Sequence, residues 1–391
     1  MTTAGLRPWL AEHWQQVREA LDAGTYRPLP VRRVVIPKPG GGERLLGVPT
    51  VLDRLIQQAI AQILTPIFDP HFAGASFGFR PGKSAHQAVR AARRCIDDGL
   101  RWVVDVDLDR FFDRVNFDML MARVARKVND RKLLRLIRAY LEAGVMVDGV
   151  EQATVEGTPQ GSPLSPILSN IMLDDLDREL WKRGHRFVRY ADDLRVFVRS
   201  KRAAHRVLDS VTGVVERRLK LRVNRDKSSV RHAREATLLG FGFYFTRSGV
   251  KIRSDPKAIA RLKERIRALT SRRWSVSMPC RIGKLNAFIT GWMAYFHLAD
   301  TPKVFKELDK WLHRRMRQIR WKEWKRCTAR YRNLRRLGIP EQTARQWAAT
   351  SKGYWRIAGS VVLQRALPNT HWGDLGLLGL QRSWHRLRST A

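Results

Sequence analysis

Arg186-Phe187-Val188-Arg189-Tyr190-Ala191-Asp192-Asp193-Leu194-Arg195-Val196-Phe197-Val198 reads as two short strands of β-branched and aromatic residues folded about Ala191-Asp192. Two adjacent carboxylates thereby stand at the tip of a hairpin. Like charges held this close raise each other's pKa and push the strands apart, so divalent cations are the natural means of neutralising them. An Asp-rich turn of no special function can carry the same four letters, Tyr-Ala-Asp-Asp, so the stretch needs support from elsewhere in the chain.

That support begins with Trp102-Val103-Val104-Asp105-Val106-Asp107-Leu108, a strand by composition and by its period-2 alternation. It runs into Asp109-Arg110-Phe111-Phe112-Asp113, and its Asp105 and Asp107 share a face. A carboxylate among Val, Trp and Leu costs several kcal/mol unless it is paired or coordinated. One hairpin cannot surround two metal ions, and this strand offers the missing acid.

The whole chain is suited to a polyanionic partner. Its 391 residues suggest two or three domains, and 44% apolar content suffices for a sizeable core. The 74 Lys plus Arg against 36 Asp plus Glu give a net charge of +38, far beyond what solubility needs, which favours nucleic acid. A membrane partner is disfavoured, because no run of about 18 apolar residues occurs and the N-terminus lacks a signal-peptide core. The expected location is the cytoplasm. Cys95, Cys280 and Cys327 are too scattered for a disulfide framework or a zinc site.

Residues 1–28 read as a helix around Trp9, Trp14, Val17 and Leu21, closed by Gly24. Residues 29–50 read as a hairpin about Pro39-Gly40-Gly41-Gly42. Lys38 and Arg44 flank its tip; they are either a solvated basic turn or cations that close over a triphosphate. Val51 to Leu64 traces a helical face that Pro66 should end. Ser76 to Gly82 is a loop whose Arg80 either meets a nucleic-acid backbone or makes a structural ion pair. Residues 84–96 and 119–143 read as helices. Gly157 to Pro166, with two Gly and three Pro, is a stiff loop that displays Gln160, and Ile167 to Leu180 is helical again.

The C-terminal part is different in kind. Residues 251–391 hold 32 Lys plus Arg against 8 Asp plus Glu, and 9 of the 13 Trp. Asp255-Pro256 and Thr301-Pro302 each open an amphipathic helix. On the second, Phe305, Leu308, Leu312 and Ile319 face inward, with Arg314, Arg315 and Arg317 expected outward toward RNA. Before them, Leu238 to Phe245 is strand-like, and Gly240 allows close backbone approach.

Taken in order, these blocks resemble the group II intron reverse transcriptase/maturases. The series runs through Ile36-Pro37-Lys38, Arg44-Leu45-Leu46-Gly47-Val48-Pro49, Asp53-Arg54, Ser76-Phe77-Gly78-Phe79-Arg80-Pro81 and Asp107-Leu108-Asp109-Arg110-Phe111-Phe112-Asp113. It continues with Gly157-Thr158-Pro159-Gln160-Gly161-Ser162-Pro163-Leu164-Ser165-Pro166, Tyr190-Ala191-Asp192-Asp193 and Asn224 with Lys227-Ser228. Leu239-Gly240-Phe241, Leu285-Asn286, Gly291-Trp292 and Tyr295-Phe296 complete it. Phe117 departs from the His usual in the family, and the family's upstream Gly-x-Asp-Gly segment is not found.

The resemblance implies an α+β right-hand polymerase: an N-terminal helical segment (1–28), fingers and palm with an antiparallel sheet (29–250), a helical thumb/maturase domain (251–325) and a basic C-terminal extension (326–391). It implies RNA-directed DNA synthesis with two Mg²⁺ ions, Mn²⁺ being a tolerated substitute. Asp107, Leu108, Asp192 and Asp193 would lie at the metals, with Asp105 and Asp109 as second choices. Lys227 would protonate departing pyrophosphate. Lys38, Arg44, Phe112 and Gln160 would contact the incoming dNTP, Phe112 as a steric gate against a 2′-hydroxyl. Arg80, Gly240, Arg314, Arg315 and Arg317 would touch nucleic acid. The implied partners are group II intron RNA and an RNA template with a DNA or RNA primer. The alternatives are an RNA-binding splicing cofactor without polymerase activity, and a reverse transcriptase recruited for defence or sequence diversification.

Overall fold

The computed structural model describes residues 2–37, 43–109, 111–147, 150–152 and 161–389. Lys38 and Gln160 lie outside the described residues, as does the side chain of Arg44. The chain divides into two compact units, Met1–Ala236 and Thr237–Ala391.

The first unit carries helices α1 (Leu6–Ala23), α2 (Val51–Phe68), α3 (Ala85–Asp97), α4 (Phe117–Val124), α5 (Arg131–Glu142), α6 (Ser165–Lys182) and α7 (Lys201–Arg218). Its strands are β1 (Val31–Pro37), β2 (Glu43–Val48), β3 (Trp102–Val106), β4 (Val145–Val147), β5 (Val150–Gln152), β6 (Arg186–Tyr190), β7 (Asp193–Val198) and β8 (Ser229–His232). One sheet has the order β2-β1-β4-β5; the other, β6-β7-β3-β8, is antiparallel throughout. The second sheet carries the acids. One face is covered by helices, because Val104, Val106, Leu194, Val196 and Val198 pack into a core shared with α2, α4, α5, α6 and α7.

Local signals explain where elements start and stop. Thr50 caps α2 by accepting from the Asp53 amide, and Ser84 with Gln87 forms a reciprocal capping box at α3. The single helix expected over 119–143 is two helices, because Asp130 accepts from the Lys132 and Leu133 amides and starts α5 afresh. Pro66 does not end α2, which runs on to Phe68: a proline this close to the helix end removes a single backbone bond, and the Thr65 hydroxyl donates to the Ala61 carbonyl alongside. No helix among the described residues is long and apolar enough to cross a membrane.

The second unit opens with β9 (Thr237–Leu238), β10 (Phe241–Thr246) and β11 (Gly249–Ser254), then α8 (Pro256–Leu269), α9 (Met278–Phe296) and α10 (Pro302–Glu323). Six shorter helices follow: α11 (Cys327–Arg336), α12 (Glu341–Ala348), α13 (Tyr354–Ala358), α14 (Val361–Ala366), α15 (Asn369–Asp374) and α16 (Leu380–Ser389). The division between units falls at Ala236, ahead of residue 250, because the β10–β11 hairpin belongs to the helical unit. The Tyr295 hydroxyl donates to the Leu239 carbonyl, Phe241 lies against Tyr295 and Phe296, and Asp300 accepts from the Ile252 amide. The C-terminal segment packs onto the rest of this unit. Asn286 clamps it by donating to the Gly376 carbonyl and accepting from the Leu378 amide, and the half-buried Asp309 caps α16 through the Leu380 and Gln381 amides.

Candidate active site

Strand register assembles the acids. In the β3–β7 pair Asp105 faces Arg195 and Val106 faces Leu194, so one further step sets Asp107 across from Asp193. Asp192 occupies the β6–β7 turn between Tyr190 and Asp193. Alternation puts Asp105, Asp107, Asp193 and Arg195 on the same face of the sheet, where like charges directly opposite would be destabilising without a counter-charge. Arg195 is that counter-charge: its Nη1 bonds Asp105 Oδ1 at 2.6 Å and also the Asp193 carboxylate.

Burial pushes the Asp105 carboxyl up to about 6, with Arg195 pulling it down and Asp193 pushing it further up. Asp107 is raised chiefly by burial, against the lowering influence of Lys227 and with further repulsion from Asp193. A half-buried carboxylate lifted this way is the group a divalent ion relieves. Among the described residues, no group of three acidic, His or Cys side chains stands ready to enclose a metal ion by itself. Asp193 is paired with Arg195, and Asp107 and Asp192 carry the carboxylate chemistry that suits Mg²⁺, which takes one or two carboxylates and completes its shell from substrate phosphates and water.

The segment after α7 secures Asp107. The Asn224 amide donates to the Asp107 carbonyl at 2.9 Å, the Asp109 amide to the Arg222 carbonyl at 2.8 Å, and Ser228 Oγ accepts from the Asp107 amide at 3.0 Å. Leu108 is buried and bridges to Val223. Lys227 is exposed, with its charge felt at Asp107. Phe112 is half-buried, edge-on to Phe111 at 5.1 Å and packed against the core.

The turn itself is strained and braced. Ala191 has φ +57°, a left-handed conformation that costs a residue with a Cβ about 1–2 kcal/mol. It is buried, with the 76–80 loop lying on it: the Phe77 amide donates to the Arg189 carbonyl, and the Arg189 amide to the Ala75 carbonyl. A Cβ on Gly78 would stand 2.2 Å from the Ala191 nitrogen. Arg80 holds this loop together and does not reach out of it. Its nearly buried guanidinium bonds Asp69 Oδ1 at 2.7 Å and the Asp69, Ala73 and Ser76 carbonyls, so the ion pair replaces the template contact.

Residues 36–243 match the reverse transcriptase (RNA-dependent DNA polymerase) family, and residues 259–338 match the maturase-specific domain of group II introns. The chain belongs to the group II intron reverse transcriptase/maturases. This reverse transcriptase is 34% identical over 268 residues to Protein YkfC of Escherichia coli, a match covering 59% of this chain and 70% of that one. It is 40% identical over 168 residues to group II intron-encoded protein LtrA of Lactococcus lactis subsp. cremoris, covering 43% and 28%. An uncharacterized 91 kDa protein in the cob intron of Schizosaccharomyces pombe is 35% identical over 182 residues, covering 45% and 22%. The matches thus span less than a third of the two intron-encoded relatives. Members of the family work with divalent metal ions.

In the second unit of this reverse transcriptase, the arginines expected at nucleic acid bond to groups of the unit itself. Arg317 is 5% exposed, its guanidinium bonded to the Ala358 and Leu367 carbonyls and Asn369 Oδ1, which removes it from any RNA surface. Arg314 bonds the Trp355 carbonyl and stacks on that ring at 4.2 Å, and Arg315 bonds Thr270 Oγ1 and the Arg267 and Thr270 carbonyls at the end of α8. The helices after α10 cover the face that a single amphipathic stripe leaves to solvent. Gly240, at φ +81°, is explained by an internal neighbour: a Cβ there would lie 3.3 Å from the Phe296 ring.

Sequence reasoning missed Arg195, Ser228 and the Arg189 brace. For Arg195 a signal existed, since a cation amid Leu194, Val196 and Phe197 in a core strand needs a partner as much as an acid does.

Proposed function

We propose that this chain is an RNA-directed DNA polymerase that copies intron RNA into DNA with two Mg²⁺ ions, and that its second unit binds group II intron RNA to assist splicing and retromobility. The observation that carries the polymerase reading is the position of Asp107 across the sheet from Asp193, with Asp192 at the adjoining turn. A chain needing only a basic surface has no use for acids whose burial is this costly.

In this reading the primer 3′-oxygen attacks the α-phosphorus of a dNTP, the bond to the bridging oxygen breaks, and pyrophosphate leaves. Bound Mg²⁺ supplies charge neutralisation at the phosphates and a lower pKa for the 3′-hydroxyl. Asp107 and Asp192 would hold the ions with the Leu108 backbone, and Asp193 would support the site from its pairing with Arg195. Lys227 gives a proton to the departing pyrophosphate. Lys38, Arg44 and Gln160 contact the dNTP. The test is extension of a DNA primer on an RNA template by the purified chain. Extension that requires Mg²⁺ or Mn²⁺ and stops with chelator is expected; tight RNA binding with no extension under either ion would favour the splicing-cofactor reading.

Phe112 is assigned the exclusion of the 2′-hydroxyl. Its ring is only half-buried, so part of it is available to a sugar. Phe112→Val should narrow the preference for deoxynucleotides by at least tenfold, about 1.4 kcal/mol. Single-turnover incorporation of matched ribo- and deoxynucleotides checks this, and unchanged discrimination returns Phe112 to the core.

For RNA binding, α8 offers exposed cations where Arg314, Arg315 and Arg317 are engaged within the unit. Lys257, Arg261 and Arg265 are exposed and recur every four residues along one face. Changing all three to Gln should flatten the plot of log affinity against log salt by about two to three units, at roughly 0.7–0.9 per lost phosphate contact. Arg317→Met should leave that slope alone. It should instead destabilise the second unit by about 2–3 kcal/mol, because two buried carbonyls lose their donor. The reverse pattern would restore Arg317 to the RNA surface.

A further inference from the structure

We propose that Arg189 is the positioning residue of the catalytic turn: held by Asp177 and Asn170 on α6, it fixes the left-handed Ala191 and so sets where Asp192 presents its carboxylate. The inference rests on the reading of Asp192 as a metal ligand.

Arg189 is 1% exposed and Asp177 is fully buried. Nε donates to both Asp177 oxygens at 2.8 and 3.0 Å, and Nη2 to Oδ2 at 2.5 Å. That leaves Nη1, which donates to Asn170 Oδ1 at 3.0 Å and to the Ala191 carbonyl at 2.8 Å. The guanidinium therefore reaches from the helix layer through the sheet edge to the peptide that joins Ala191 to Asp192.

Two considerations separate this from ordinary packing. A buried ion pair gives little stability over apolar residues of similar volume, so its presence inside a hydrophobic layer calls for another reason. The reason available is the one bond that leaves the pair, because it ends on a strained residue. A non-glycine residue in the left-handed region persists only where its surroundings over-determine it. Here they do so twice, and through the same side chain. Asn170, fully buried, accepts from Arg189 with Oδ1 and donates with Nδ2 to the Gly78 carbonyl at 3.0 Å. It ties the guanidinium beneath the turn to the loop above it. The planar fork of Arg can serve Asp177 and Ala191 at once; an ammonium is a point charge and cannot.

The test uses Arg189→Lys, which keeps a cation for Asp177 and loses the arm to Ala191, and Asn170→Ala, which keeps the ion pair whole. Three quantities are read on the full chain without nucleic acid or with it as needed: amide hydrogen exchange at residues 190–193 against that of α6, Mn²⁺ affinity by electron paramagnetic resonance, and the Mg²⁺ concentration giving half-maximal primer extension. Both variants should unfold cooperatively and keep α6 protected. Turn amides should exchange at least tenfold faster, Mn²⁺ affinity and half-saturating Mg²⁺ should each worsen about tenfold, and rate should recover in part at high metal while the Michaelis constant for dNTP changes less. A merely structural role would lower thermal stability and leave the metal dependence where it was. Should Arg189→Lys fail to fold, Asn170→Ala carries the test alone. Turn exchange unchanged from wild type overturns the proposal. Faster exchange with Mn²⁺ affinity unaltered, in these variants and in Asp192→Asn alike, would uphold the clamp and count against Asp192 as a ligand.

Discussion

Asp192→Asn is expected to reduce single-turnover primer extension by about 3–5 kcal/mol, on the order of a hundred- to several-thousand-fold, with RNA affinity nearly intact. Asn keeps the shape and one oxygen of the side chain but removes the charge a divalent ion needs. The fold should survive, since the substitution keeps the side chain's shape in a turn that is only half-buried. Asp193→Asn should cost less, because its partner Arg195 retains Asp105. The pair of variants thus distinguishes ligand from support. Residual extension above about a tenth of wild type in Asp192→Asn, a loss under roughly 1.4 kcal/mol, would remove Asp192 from the metal site. Proton competition gives a second handle. Asp107 is raised by burial and by its acidic neighbours, and a protonated carboxyl does not ligate, so metal affinity should weaken on acidification at a pH above the ordinary carboxylate range.

What was legible in the sequence follows a physical line. Alternation reported the strands and the shared face of Asp105 and Asp107, because side-chain period and pleat are local. The pairing of β3 with β7 joins segments about ninety residues apart, so the salt bridge from Arg195 to Asp105 has no local trace. Arg189 shows the same limit more sharply. In the strand it looks like Arg186, which is exposed, yet β6 is covered by α6 on the side where Arg189 points, and Asp177 waits there. On α10 the spacing of Phe305, Leu308, Leu312 and Ile319 predicts their burial, whereas that of Arg317 has no such periodic signal. A single stripe assumes one buried face. Helices α13 and α15 bury a second one, and a cation beneath them must find carbonyls.

Gly78→Ala tests how much the turn depends on the loop lying over it. The added methyl would sit 2.2 Å from the Ala191 nitrogen and 2.9 Å from the Tyr190 carbonyl carbon, both backbone, so no rotamer change can relieve it. Either the loop lifts or the turn moves. Lifting breaks the Phe77–Arg189 backbone bond and the Asn170 bond to the Gly78 carbonyl, and it pulls against Arg80, which is anchored to Asp69. Movement of the turn displaces Asp192 directly. Both routes are costly, and a destabilisation of about 2–4 kcal/mol is expected together with at least a tenfold loss of extension at saturating Mg²⁺. Gly82, in the same loop, is the control. It has φ +68° but nothing within 4 Å of its would-be Cβ, so Gly82→Ala should cost only the left-handed strain of about 1 kcal/mol and spare the rate. Thermal unfolding and single-turnover extension on both variants decide the matter. If Gly82→Ala loses as much activity as Gly78→Ala, loop flexibility is what the reaction needs; if Gly78→Ala alone fails, the requirement is contact between that glycine and the backbone that carries the acids.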